Sequence, residues 1–182
     1  MRIPIFSMSI GTSICSFTGQ MLAMLSLPFF LQETLERSDV ITGLLLTPWP
    51  IATMIIAPLA GRLVERIHAG ILGGIGMTIF ATGLFLLAIL PSNPTNMDII
   101  WRLFICGSGF GLFQTPNNST IISSAPSNRS GGASGMLGTA RLLGQTLGAT
   151  QVAMIFYLVP INSSQTCLYL ATGFAAVAAI VS

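Results

Sequence analysis

Six long apolar runs, none broken by more than a single arginine, divide this chain almost end to end: 6–30, 41–60, 69–90, 99–122, 133–159 and 167–182. A helix needs about 20 apolar residues to cross a hydrocarbon core about 30 Å thick. Runs of this length, closely repeated, leave little chain from which to build a water-facing surface. Only 7% of the 182 residues are charged, against roughly 25% in a soluble domain. A soluble enzyme is therefore excluded, and the expected fold class is an all-α membrane protein of six transmembrane helices.

The connectors have turn chemistry: 33–39 is charged, 91–94 reads Pro-Ser-Asn-Pro, and Pro126 and Pro160 mark the last two. The first run is too long for a signal peptide and has no cleavage site. The basic residues are all arginine (2, 37, 62, 66, 102, 129 and 141), too scattered for a nucleic-acid patch. Cys15, Cys106 and Cys167 lie far apart, with neither metal-ligand nor disulfide spacing, and read as small apolar residues. With the amino terminus inside, Arg2, Arg62, Arg66 and Arg129 fall on the inner side and Arg37 and Arg102 on the outer. That is the positive-inside bias, and six spans then leave both ends cytoplasmic, in an inner (plasma) membrane. The last run has 16 residues, about 24 Å of helix, and is expected to stop short of its natural end.

Between the second and third runs stands Gly61-Arg62-Leu63-Val64-Glu65-Arg66-Ile67-His68-Ala69-Gly70. It resembles the Gly-x-x-x-Asp-Arg-x-Gly cytoplasmic loop of the major facilitator superfamily, with Glu65 for Asp and His68 for the later Gly. Gly109-Phe-Gly-Leu-Phe-Gln-Thr-Pro-Asn-Asn118 looks like that superfamily's tenth core helix. Ser130 to Gly148, with Arg141, Gly144 and Gln145, looks like the eleventh. The resemblance covers essentially the whole chain and is nearest to the fourteen-span drug:proton antiporters, which include methyl viologen and quaternary ammonium resistance exporters.

The resemblance implies that residues 1–182 are the carboxyl-terminal bundle of a transporter, a fragment whose amino-terminal half is a missing partner. It further implies multidrug efflux of small cationic drugs or biocides, driven by the proton gradient with no bound cofactor. In the family fold the first, second, fourth and fifth of these spans line the cavity, while the third and sixth stay outside. The polar content agrees: the third run has only Thr78 and Thr82, and the sixth little beyond Thr172. The alternative is a truncated remnant without transport activity, or a membrane interaction partner.

Polar groups are costly in hydrocarbon and mark cavities or helix contacts. Phe17, Gln20 and Met24 share one face of the first run by their three- and four-residue spacing. Trp49 stands between Pro48 and Pro50, where a kink is expected. Phe110, Phe113, Gln114 and Asn117 surround Pro116 in the fourth run. These eight are the expected substrate cavity, although Gln20, Gln114 and Asn117 equally suit interhelical hydrogen bonds, and Phe17 and Phe113 suit packing. Gly107-x-x-x-Gly111 and Gly144-x-x-x-Gly148 read as close-packing surfaces. Gly61, Arg62, Glu65, Arg66, Arg141 and Gln145 are the expected gating set.

Arg141 is the only charge between residues 130 and 182. Its expected partner is a helix carbonyl, Gln114, Asn117 or an acid of the other bundle, with snorkelling to the interface as the bland reading. No reactive pair suggests an enzyme. The five carboxylates, Glu33, Glu36, Asp39, Glu65 and Asp98, all fall at span ends, so an acid that exchanges protons for cationic drug is expected outside this chain. Finally, Gly43-Leu44, Thr47-Pro48 and Ala57-Pro58 recur 68 residues later. An inverted three-helix repeat would instead pair the second span with the fifth.

Overall fold

The computed structural model describes residues 3–91, 93–124, 130–159 and 162–182. Arg2, Arg129, Pro126 and Pro160 lie outside the described residues. The elements are α1 (Ile3–Phe29), α2 (Asp39–Leu46), α3 (Pro48–Leu63), α4 (Ala69–Ala88), α5 (Asn96–Ser124), α6 (Ser130–Leu158) and α7 (Ser163–Val181). Among the described residues there is no strand.

Backbone chemistry explains where these elements depart from the apolar runs. The first helix passes beyond residue 30 into a π-helical turn, Phe30–Thr34. Pro28 sits just before it and has no N–H for the carbonyl four residues back, which favours a local change of pitch. Glu36, at a φ of 50°, then turns the chain. The second run is two helices rather than one kinked helix. Pro48 and Pro50 withdraw two N–H donors, and Thr47 closes the break by donating through Oγ1 to the carbonyl of Gly43 at 2.9 Å. The last helix begins at Ser163, four residues before the apolar run, behind Asn162 at a φ of 61°. Its 19 residues span about 28 Å.

Among the described residues, four stretches are long and apolar enough to cross a membrane: Phe6–Thr34, Asp39–Leu63, Ala69–Ala88 and Ser163–Val181. α5 and α6 are longer, at 29 residues each, but carry more polar side chains. Several of these are used inside the bundle.

Helix contacts have a simple order. α1 packs on α6 and α7, α5 packs on α3 and α4, α4 meets α7, and α1 touches α5 at the centre. Exchanging α1 with α5, α3 with α6 and α4 with α7 leaves these pairs unchanged, the pattern of a three-helix unit used twice. The described part of the 68-residue recurrence joins α2 and the start of α3 to α5, which contacts both and is not their equivalent under that exchange, while Ala125 and Pro126 lie outside the described residues.

Small residues set the close approaches. A Cβ on Gly144 would stand 2.6 Å from the carbonyl oxygen of Ile14, and one on Gly148 would stand 2.8 Å from that of Thr18. Gly107 and Gly111 receive α3 similarly, with Ala52 and Thr53 against them. Both contacts carry the same polar device. Thr18 Oγ1 donates to the carbonyls of Ile14 (2.8 Å) and Gly144 (3.1 Å), and Thr53 Oγ1 to those of Trp49 (3.1 Å) and Gly107 (3.0 Å). Gly76 and Gly109 do the same for α4 and α5, a contact the sequence reading did not single out.

Candidate functional site

An aromatic column crosses the bundle. Trp49 of α3 meets Phe80 of α4 with ring centroids 5.6 Å apart, Phe80 meets Phe110 of α5 at 5.5 Å, and Phe110 meets Phe17 of α1 at 5.7 Å. The rings pair edge-on or tilted, as their quadrupoles favour. The column ends on a cation: the guanidinium carbon of Arg141 lies over the Phe17 ring, 5.5 Å from its centroid. α6 starts at Ser130, so Arg141 stands about 17 Å along it. Within this chain a ring receives it, and not the carbonyl, Gln114 or Asn117 that were expected alternatives; the other expected partner, an acid of the other bundle, lies outside this chain.

This geometry divides the eight expected cavity residues. Phe17, Trp49, Phe110 and Phe113 are only 1–3% exposed and belong to the core of the bundle. Gly144, Gly107 and Gly76 bring neighbouring helices against Phe17, Trp49 and Phe113. Met24 is exposed, and Gln20 and Gln114 are half-buried, so these three keep accessible surface. Asn117 is buried, and its Nδ2 donates to Ser13 Oγ at 2.6 Å, joining α5 to α1. Among the described residues, the buried indole N–H of Trp49 finds no hydrogen-bond partner.

The expected gating residues fall in two places. Gly61 lies in the last turn of α3, and a Cβ there would meet only Thr115 Cγ2 at 3.8 Å, an ordinary contact. Close packing therefore does not explain that glycine in this chain. Arg62, Glu65 and Arg66 are exposed around the turn after α3. His68 caps α4, its Nδ1 accepting the N–H of Gly70 at 3.3 Å. Arg141 is exposed and Gln145 half-buried on α6.

A cavity of about 540 Å³ opens at the end of the bundle where α1, α4, α5 and α7 meet, lined among others by Ser9, Thr12, His68, Asn117, Thr120 and Ser124. The sequence reading missed it. The available signal was Ser9, Thr12, Ser13 and Ser16, which repeat every three or four residues on one face of α1. At the opposite end Arg37 donates to the carbonyl of Pro94 at 3.4 Å, and Arg102 to that of Leu86 at 3.0 Å. The five carboxylates sit at helix ends or turns, four of them exposed.

A helical membrane protein of several spans, assembled from two similar three-helix units, is the class that this arrangement defines. Residues 2–149 match the Major Facilitator Superfamily, and the chain belongs to that superfamily. It is 61% identical over all its 182 residues to the uncharacterized transporter YebQ of Escherichia coli (strain K12), covering 40% of that protein. It is 33% identical over 144 residues (79% of this chain, 26% of the relative) to multidrug resistance protein Stp of Mycobacterium tuberculosis (strain H37Rv). It is 29% identical over 143 residues (79% of this chain, 31% of the relative) to riboflavin transporter RibZ of Clostridioides difficile (strain 630). The chain thus spans two fifths or less of the length of these relatives.

Proposed function

We propose that this chain forms six membrane spans, α1, α2 with α3, α4, α5, α6 and α7, and serves as the carboxyl-terminal bundle of a multidrug exporter. Its substrates are lipophilic cations, exchanged for protons across the inner membrane. The observation that carries the reading is the two-by-three helix arrangement with α1 and α5 at its centre, in a chain that belongs to this superfamily. The relative named as a multidrug resistance protein supports the substrate class. The cavity groups the start of α1, the start of α4 and the ends of α5 and α7 at one end. That grouping suits six crossings with both termini cytoplasmic, where Arg62 and Arg66 are also placed.

The proton-titrating acid lies in the rest of the transporter, because this chain's carboxylates are at helix ends. Gly61, Arg62, Glu65 and Arg66 act at the inner gate, and Gln20, Met24 and Gln114 supply accessible contacts to substrate. Proteoliposomes holding a full-length transporter that contains this chain test the reading. Uptake of ethidium against an imposed proton gradient is expected. Uptake of riboflavin without ethidium would replace the substrate class, and uptake of neither would contradict the multidrug reading.

A further inference from the structure

We propose that the face of the Phe17 ring is a binding seat for an organic cation, one that the guanidinium of Arg141 occupies as a tethered internal competitor. The inference rests on the reading that the substrates are lipophilic cations. It adds where the positive charge is held and what must leave first.

An aromatic face attracts a cation within about 6 Å of its centroid, more strongly where water is scarce, and quaternary ammonium groups use the same attraction. Phe17 satisfies those conditions. It is 3% exposed, backed by Phe110 and, behind that, by Phe80 and Trp49. The guanidinium already stands 5.5 Å from its centroid. The five carboxylates of the chain lie at helix ends and turns, so no acid within a helix interior holds Arg141 in place.

Room for exchange exists on the same helix. Arg141 is exposed, and a Cβ on Gly135 or Gly138, within two turns of it, would meet nothing within 4 Å. The arginine can swing along that open flank while its backbone stays fixed by Gly144 against Ile14. On α1, half-buried Gln20 and exposed Met24 follow Phe17 on one face and offer polar and polarisable contact to the incoming molecule. A cation on Phe17 and the guanidinium on Phe17 exclude each other by charge and by space. Return of the arginine would then expel the substrate.

Equilibrium dialysis of benzyltrimethylammonium against a full-length transporter that contains this chain, held in lipid nanodiscs, tests this, with neopentylbenzene as the neutral molecule of the same shape. Arg141→Ala should bind the cation about three- to tenfold more tightly than wild type, the range expected when a competitor leaves an aromatic face. Neopentylbenzene binding should not change. Arg141→Lys keeps a tethered cation and should show little of the gain, and Phe17→Leu should erase it in the double variant. Equal or weaker cation binding by Arg141→Ala, or a gain that persists without the ring, would overturn the proposal. Cation binding by wild type that neither substitution alters would sink the seat and leave the substrate class standing. No cation binding by wild type or Arg141→Ala would remove both.

Discussion

Asn117 of α5 and Ser13 of α1 are joined by a 2.6 Å hydrogen bond from Nδ2 to Oγ, and both residues are buried. The two helices exchange places in the three-helix repeat, so this bond ties one unit to the other at the bundle centre. Buried interhelical hydrogen bonds in membranes contribute about 0.6 kcal/mol on average and up to about 1.7. Asn117→Ala and Ser13→Ala should each lower thermal stability in detergent by about that much. The double variant should lose little more than either alone, which a double-mutant cycle by scanning calorimetry or fluorescence melting would measure.

The glycines of α6 should divide sharply. Gly144→Val places new carbons against the backbone of Ile14 and the Cβ of Phe17 and should cost about 1–3 kcal/mol, as overpacking does. Gly138→Ala meets open space in this chain. It should be neutral or stabilise by up to about 1 kcal/mol, because alanine loses less freedom than glycine in a helix. Melting curves of the two variants in the same detergent decide it.

Thr95 and Asp98 open α5 with a reciprocal cap. Thr95 N–H and Oγ1 donate to Asp98 Oδ2 at 3.1 and 2.7 Å, and Asp98 N–H donates to Thr95 Oγ1 at 3.2 Å. These bonds from Thr95 hold the Asp98 carboxyl below its ordinary pKa. The cap's contribution is thus present at neutral pH and lost as pH falls through that lowered value. Thr95→Ala should lower the amide protection factors in the first turn of α5 at neutral pH, and acidification should lower them in wild type.

Glu65 is exposed in the turn after α3, where its removal leaves no buried group unpaired. In a full-length transporter Glu65→Ala should lower ethidium transport severalfold at unchanged membrane abundance. Equal loss of both would make it a folding residue. Arg141→Ala in the same background should lower KM for the cation and reduce kcat at least about tenfold, with Arg141→Lys recovering part, since lysine lacks the planar fork. Normal kcat would remove Arg141 from the transport cycle.

The architecture was legible because span length, turn chemistry and charge position are local properties. The runs at 69–90 and 99–122 each became one helix, α4 and α5, and the two Gly-x-x-x-Gly pairs did become close-packing faces. Trp49 between two prolines signalled a disturbance, although a break at Thr47 depends on which carbonyls find other donors. The site was less legible. Phe17 and Phe110 share a face with polar residues, so periodicity could not separate core from cavity. Phe17 is buried where Gly144 admits α1 closely, and Phe110 is enclosed between the rings of Phe17 and Phe80. Arg141 over Phe17 joins residues more than a hundred positions apart, beyond the reach of spacing along either helix.

The most direct test of the central claim, that this bundle works as part of a longer cation exporter, is ethidium efflux from cells lacking their own pumps. Cells expressing the 182-residue chain alone should retain dye like an empty vector, because one bundle leaves its cavity face unpaired. Cells that also express, as a separate chain, the part of the relative YebQ that this chain does not cover should expel it when energised and stop when the proton gradient is collapsed. Efflux by the chain alone, or none from the pair when both chains are present in the membrane, would contradict the account.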